Sequence, residues 1–245
     1  FLTFRLGFVQ FRKLWHGFTV TSGIYDDPDE PGDIPHFQAL TTALSATVGT
    51  GNIVGVALAI HYGGPGAILW MWVTAVLGMA TKFSEVTLAQ FYRNENIAGE
   101  GDAPDWLGTV SGGPMYYIEK GLGSNWTWMA VLSAGLLGIT SFLTGNANQA
   151  NSVTDTLEAY SGLVGLDPFT MSVIVAAIVA GTVAVVIIGG VTRIGRVTGI
   201  VAPVMAAIYV LGGLTILAFN ASEVPAAFGT IVTDAFNPSS GVAGT

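Results

Sequence analysis

Cysteine is absent from all 245 residues, and charged side chains make up only 10% of them. Without cysteine, neither a disulfide framework nor a thiolate metal site can form. The three histidines, His16, His36 and His61, are scattered along the chain, which disfavours a histidine metal site because such sites need clustered ligands. A soluble domain carries about 25% charged residues, so this chain has too little charge to cover itself in water. The sequence therefore predicts lipid as its main solvent.

Long apolar stretches take the place of the missing charge. Hydrophobic residues make up 51% of the chain, and five continuous stretches lie at roughly 36–62, 66–92, 126–150, 168–190 and 197–219. A helix that crosses a bilayer needs about 20 apolar residues, and each stretch meets this length. Long continuous runs favour helices over strands that alternate every second residue. We therefore predict an all-α membrane protein, embedded in the cell membrane and crossing it several times.

The two ends of the chain resemble cut ends. Phe1 stands within an apolar segment, and Thr245 follows no closing signal. No signal peptide with its charged, apolar and small-residue regions is visible. Residues 1–35 are expected to hold the end of a preceding helix and then a cytoplasmic linker, first amphipathic and then acidic.

Basic residues predict the orientation of the spans. If the first span runs outward from the cytoplasm, all positive charges fall on or near the inner side, as the positive-inside rule requires. The eight basic residues are Arg5, Arg12, Lys13, Lys82, Arg93, Lys120, Arg193 and Arg196.

The first stretch contains a pattern that predicts a broken helix. Gly49-Thr50-Gly51-Asn52 stands about halfway through it. Each glycine lowers helix stability by about 1 kcal/mol relative to alanine, and asparagine is also a weak helix former. Non-helical backbone at this depth is tolerated only when it is buried in protein or lines a wet cavity.

Such a break has a specific physical use. The half-helix that ends near Val48 would present carbonyl oxygens to a small cation, and the half-helix that starts near Asn52 would present amide groups to a carboxylate. Oxygens from nearby side chains lie within reach of the same gap, on Ser45, Thr47, Thr50 and Asn52. The alternative is a glycine-rich face that lets a neighbouring helix approach closely.

A second polar segment ends the third stretch, with Gln149 as its candidate substrate contact. Its polar residues are Thr144, Asn146, Asn148, Gln149 and Asn151. They could face a substrate path, or they could mark emergence into the outer interface.

Several motifs together resemble the alanine or glycine:cation symporter family. They are Phe37-Gln38-Ala39-Leu40, ATVGTGNIVGVA at 46–57, GGPGAILWMWVTAVLGMATKFSE at 63–85 and SGGPMYYIEKGLG at 111–123. Weaker similarity continues through GNANQANSV at 145–153, Gly189-Gly190, the segment Arg193-Ile194-Gly195-Arg196 and residues 203–209. The resemblance covers nearly the whole chain.

This resemblance implies a fold and a domain organisation. Members are similar to transporters of the leucine-transporter fold, which is built from two inverted five-helix repeats. Residues 36–219 would then be the first repeat, with the broken span as its first helix, and residues 220–245 an outer loop that leads to a second repeat. Without that repeat, much of the substrate pocket would be missing, so the segment alone is expected not to transport.

The resemblance also implies a function, sodium-coupled uptake of alanine or glycine by alternating access. By position, the resemblance implies that Thr50, Gly51 and Asn52 contact the substrate or the adjacent sodium ion, and that Ser45 and Val48 offer carbonyls to a second ion. The polar side chains noted above add Gln149 to the expected substrate contacts and Thr47 to the expected sodium ligands. Besides sodium as the coupling ion, the resemblance implies no cofactor and no transition metal. The expected partners are the amino acid, sodium and the lipid bilayer, and nucleic acid is not expected.

Other functions fit the sequence less well. A symporter of the same fold for a different small solute remains an alternative. An ion channel would show charged or carbonyl-rich filter segments repeated around an axis, and nothing here repeats in that way. An intramembrane enzyme would need an acid or histidine pair deep in the spans, where Glu85 near one end is the single acid. An enzyme is therefore not expected. No phosphate-binding glycine loop followed by lysine and serine or threonine is present, so ion gradients rather than ATP are expected to supply the energy.

Overall fold

The fold is almost entirely helical. The computed structural model describes residues 1–27, 32–95, 110–141, 143 and 147–245, apart from the side chain of Glu95. The α-helices are, in chain order, α1 Leu2–Arg5, α2 Val9–Arg12, α3 Leu14–Thr21, α4 His36–Thr47, α5 Val56–Gly63, α6 Ala67–Phe91, α7 Pro114–Leu122, α8 Thr127–Thr140, α9 Ala147–Glu158, α10 Ser161–Val164, α11 Pro168–Ile187, α12 Gly190–Phe219, α13 Val224–Asp234 and α14 Pro238–Gly244. A π-helical turn covers Gly51–Gly55, and a 3₁₀ turn covers Ser124–Trp126.

The chain divides into two compact units. The first comprises residues 1–26, 36–84 and 198–245, and the second comprises residues 27–35 and 85–197. The first unit contains the broken helix.

Three of the helices are long and apolar enough to cross a membrane in the part of the chain that the structure describes. They are α6, α11 and α12, and α4 with the segment Gly51–Gly63 adds a fourth span if the bent pair is counted as one. Few residues of the three helices are buried against protein. Such exposed apolar surface matches lipid rather than water, so the chain is a membrane protein, as predicted.

The third predicted span lies partly outside the described residues. Helix α8 ends at Thr140 and α9 begins at Ala147, while residues 142 and 144–146 are not described. The predicted stretch at 126–150 therefore corresponds to α8 and the start of α9.

The turn between the last two spans comes earlier than the apolar pattern indicates. We predicted these spans at 168–190 and 197–219, but α11 ends at Ile187 and α12 already begins at Gly190. The Arg193 guanidinium donates to the carbonyl of Val185 at 2.9 Å, across the turn. A Cβ on Gly189 would lie 2.3 Å from Cδ of Arg193, so a glycine is needed beneath that side chain. Arg193 is therefore part of α12, which begins at Gly190, seven residues before the predicted start of the span at residue 197.

In the second unit, the motif at 111–123 encloses one short helix. Val110–Ser111 pairs antiparallel with Asn94–Glu95, and α7 follows after Gly113. Gly113 at φ +131° precedes the helix and Gly123 at φ +89° follows it, and both values favour glycine. The motif thus combines two glycine turns with a proline at the first helical position.

Asp167 caps the amino-terminal end of α11. Its carboxylate accepts from the amide of Thr170 at 2.9 Å and from the hydroxyl of Thr170 at 2.6 Å. The hydroxyl bond, followed by the amide bond, lowers the pKa of the Asp167 carboxyl from its ordinary value. A capping aspartate satisfies an amide that would have no partner within the helix.

This cap makes helix stability depend on pH. Because the folded pKa of Asp167 lies below its unfolded value, the ionised form stabilises the fold, and that contribution is lost as pH falls through the folded pKa, below about pH 4. We expect the melting temperature to fall less between pH 6 and pH 3 in Asp167→Asn, which still caps but does not titrate there. Melting curves of wild type and variant in detergent test this. Identical pH dependence in the two proteins would contradict it.

Candidate functional site

The predicted break in the first span is present. Helix α4 ends at Thr47, the π-helical turn begins at Gly51, and the two segments are bent by 58°. The amide of Val48 still donates to the carbonyl of Leu44 at 2.7 Å, but the amide of Asn52 donates to Gly49, three residues earlier, at 3.1 Å. The regular four-residue spacing therefore ends where the two weak helix-forming glycines stand.

A π-helical turn follows the break directly. Gly51–Gly55 adopts this wider turn before α5 resumes the α-helical geometry at Val56. Single π-turns are rare, and they occur frequently at functional sites. The span thus changes its hydrogen-bond pattern twice within a few residues.

The two half-helices bring opposite partial charges to the gap. The carboxyl end of a helix carries about −0.5 elementary charge, and the amino end carries about +0.5. Helix α4 directs its carboxyl end to Val48, and the segment Gly51–Gly63 begins on the other side of the break. The gap can therefore attract a cation on one side and an anion on the other.

The predicted contact residues of the first unit surround this gap. Ser45 and Thr47 occupy the last turn of α4, and the Thr47 hydroxyl donates to the carbonyl of Ala43 at 2.8 Å. Val48 lies in the break, and Thr50 precedes the π-turn with its hydroxyl oxygen buried.

Gly51 and Asn52 begin the π-turn, and both are exposed. A Cβ built on Gly51 meets no atom of the described chain within 4 Å. A methyl group at Gly51 would therefore meet no neighbouring helix among the described residues.

Gln149, the remaining predicted contact, belongs to the second unit. It lies exposed on α9, two residues before Asn151, whose side-chain amide donates to the carboxylate of Asp155 at 2.7 Å. Thr144 and Asn146, from the same polar segment, lie outside the described residues.

Helix α4, the first half of the broken helix, packs on α12 through small polar groups. The hydroxyls of Thr42 and Thr198 lie 2.9 Å apart, and Thr41 is 0% exposed. Gly199 lies beside α4, where a Cβ would sit at an ordinary contact distance of 3.7 Å from Cγ of Gln38. The sequence analysis missed Thr42 and Thr198, because 156 residues separate them and neither stands in a distinctive motif.

The gap offers neutral oxygens and amides rather than charged side chains. In the ranges that the structure describes, no group of three or more histidines or acids could hold a metal ion. Carbonyl and hydroxyl oxygens are hard ligands, and together with amides they match a small cation and a zwitterion.

Comparison with known protein families identifies the family of this chain. The profile of the sodium:alanine symporter family matches residues 1–245. The chain belongs to this family. The resemblance stated from the motifs is confirmed, and so is the expectation that the chain is not an enzyme, since this is a family of symporters.

Named relatives of the sodium:alanine symporter family cover nearly the whole chain. The sodium/alanine symporter AgcS of Methanococcus maripaludis is 46% identical over 243 residues, which are 98% of this chain and 50% of that protein. Two proteins of Bacillus subtilis are also similar: the amino-acid carrier protein AlsT, 38% identical over 96% of this chain and 46% of that protein, and the probable sodium/glutamine symporter GlnT, 36% identical over 96% and 45%. The chain thus spans about half the length of these relatives.

Proposed function

We propose that the full-length protein is a secondary active transporter that takes up a small neutral amino acid, alanine or glycine, together with sodium. The break in the first span carries this proposal, because a 58° bend between two half-helices supplies backbone dipoles of both signs. A zwitterion and a cation are the ligands that such a pair fits. Family membership adds that relatives include a sodium/alanine symporter.

Each side of the gap has a proposed ligand. Thr50, Gly51 and Asn52 contact the substrate carboxylate at the start of the π-turn, and Gln149 contributes a further substrate contact. Sodium is held from the α4 side by oxygens of Ser45, Thr47 and Val48, and by the side chain of Asn52. Asn52 belongs to both sets, so the ion orders a group that the substrate also needs.

A shared ligand explains how the two fluxes are coupled. If sodium orders Asn52, alanine binds more tightly in its presence, and by linkage alanine raises the affinity for sodium by the same factor. The fully loaded and the empty transporter then change between the outward-facing and inward-facing states, while transporters that carry only one of the two ligands are disfavoured. The sodium gradient supplies the energy.

The proposed architecture is the first five-helix repeat of a leucine-transporter-like fold. The five spans lie within residues 36–219, and residues 220–245 form an outer loop toward a second repeat. The distribution of basic residues supports an orientation in which α4 starts on the cytoplasmic side of the cell membrane. In this arrangement the break stands near the bilayer midplane. Rocking of one helix bundle against the other then opens the break to each side of the membrane in turn.

A second candidate substrate has support from one relative. GlnT, 36% identical to this chain, is named a probable sodium/glutamine symporter. The backbone groups at the break recognise the carboxylate that all amino acids share, so they permit a larger side chain. Sodium-coupled uptake of glutamine is therefore the alternative within the same mechanism.

Uptake by the purified full-length protein tests the proposal. In sealed proteoliposomes, labelled alanine should accumulate when an inward sodium gradient is imposed and should stop accumulating when potassium replaces sodium. Unlabelled alanine, glycine and glutamine, each added in excess, rank the substrates. Uptake that is equal with and without the sodium gradient would overturn the proposal.

A further inference from the structure

The outer half of the broken helix is fastened at its far end. Helices α13 and α14, residues Val224–Gly244, pack against α5 and the turn that follows it; we call them the C-terminal clamp. The Ser240 hydroxyl, on α14, is 1% exposed and donates to the carbonyl of Gly63, the last residue of α5. A helix end leaves its last carbonyls without partners inside the helix, so this bond satisfies one of them from the clamp.

A second hydrogen bond joins the clamp to the next span. The indole nitrogen of Trp70, one turn into α6, donates to the carbonyl of Ala235 at 2.7 Å. The ring of Trp72 lies 6.1 Å from that of Phe228, on α13. The clamp therefore contacts both sides of the turn between α5 and α6.

Glycines allow the contact to be unusually close. A Cβ on Gly63 would lie 2.3 Å from Cβ of Ala243, and one on Gly66 would lie 2.3 Å from the backbone nitrogen of Ala235. A Cβ on Gly244 would lie 2.4 Å from the carbonyl oxygen of Ala67. Each distance is shorter than real Cβ contacts allow, so the three glycines are required by packing from both partners.

We propose that the C-terminal clamp holds α5 and the start of α6 as one body, and that Ser240 and Trp70 are positioning residues for the break. This inference rests on the proposed function for its role in transport. Helix α5 begins directly after the π-turn, so its orientation sets where the backbone amide of Gly51 and the side chain of Asn52 point. Because the clamp contacts α5, the turn and α6 at several points, the outer half-helix keeps its place when ligands bind at the break.

Thiol labelling tests whether the clamp stays closed. In full-length protein freed of any other cysteine, Ser240→Cys places a thiol inside the contact, and Ser222→Cys places one at an exposed site just before α13. With N-ethylmaleimide, which crosses membranes, we expect Ser240→Cys to react at least about tenfold more slowly than Ser222→Cys, as for a site that reacts only after local opening. The slow rate should be the same with no ligand, with sodium, and with sodium plus alanine.

A matched pair of variants tests the packing. Gly63→Ala should open the clamp and raise the labelling of Ser240→Cys, because its methyl group collides with Ala243. Adding Ala243→Gly removes the methyl at 2.3 Å and leaves the carbonyl of Ser239 at 3.1 Å as the tightest contact, so it should restore part of the protection. Gly63 has no positive φ, so alanine is compatible with its backbone, and rescue would assign the effect to the contact.

The outcomes separate the clamp from the transport proposal. Fast labelling of Ser240→Cys without ligand, labelling that changes when sodium and alanine are added, or failure of Ala243→Gly to rescue would each overturn the clamp. Persistent protection with no sodium-dependent uptake would sustain the clamp as a structural unit and overturn the transport function. Uptake measured on Trp70→Phe, which keeps the ring and loses the donor, should show a raised KM for alanine, and an unchanged KM would remove its positioning role.

Discussion

Replacing Asn52 with alanine is expected to lower sodium-dependent alanine uptake by at least about tenfold, because hydrogen bonds to charged groups contribute about 1.5–3 kcal/mol each and 1.4 kcal/mol is tenfold in affinity. Asn52 is exposed at the start of the π-turn, on the amide side of the gap. The proposal gives its side chain to both the substrate and the ion, so two affinities fall together. The sodium concentration for half-maximal uptake should rise with the KM for alanine.

The control for this variant is another exposed asparagine. Asn220 follows α12, and its side-chain amide donates to the carbonyl of Ile216 at 2.8 Å, within its own helix end. Asn220→Ala should transport like wild type in the same proteoliposomes. Unchanged uptake by Asn52→Ala, at equal amounts of reconstituted protein, would remove Asn52 from the site.

Replacing Gly51 with alanine should also abolish most transport, while the fold is kept or strengthened. A Cβ on Gly51 meets no described atom within 4 Å, so no clash inside the chain opposes it. Alanine stabilises helical backbone by about 1 kcal/mol relative to glycine. The added methyl would occupy the space through which a carboxylate reaches the backbone amides, and we expect uptake to fall by at least about tenfold as this binding is lost.

Gly78→Ala provides the matched control for Gly51→Ala. Gly78 lies within the continuous helix α6, and a Cβ there also meets nothing within 4 Å. Both variants should melt at or above the wild-type temperature, but only Gly51→Ala should lose uptake. Equal uptake by the two variants would show that the space beside Gly51 is not used by the substrate.

The break could be predicted from sequence because its cause is local. Gly49 and Gly51 weaken the helix wherever it lies, and no distant contact is needed to explain the bend at Val48–Thr50. The π-turn itself was not predicted, since the residues of Gly51–Gly55 carry no distinct signal for a wider turn.

Family and membrane character were also accessible from sequence. Long motifs such as ATVGTGNIVGVA carry the family resemblance, and five apolar stretches indicate lipid. The ends of the spans were harder to predict from the sequence. The pattern of apolar residues indicates which residues avoid water, but it does not show where the backbone hydrogen bonds of a helix begin and end. Arg193 shows this: it lies between two of the predicted spans, while its backbone belongs to the first turns of α12.

Long-range contacts could not be predicted at all from the sequence. Ser240 and Gly63 are 177 residues apart, and Trp70 and Ala235 are 165 apart. Nothing near Ser240 distinguishes it from the serines beside it, and Gly63 was read only as part of a family motif. Such pairs follow from the folded positions of whole helices. The sequence therefore located the break but not the elements that hold its two halves.

An experimental structure of the full-length protein with alanine and sodium bound tests the central claim most directly. We predict density for the alanine carboxylate within hydrogen-bonding distance of the backbone amide of Gly51 and the side-chain amide of Asn52, with sodium beside the carbonyl end of α4. Alanine bound away from an empty break, or a straight helix through residues 44–56 in the bound state, would contradict the account.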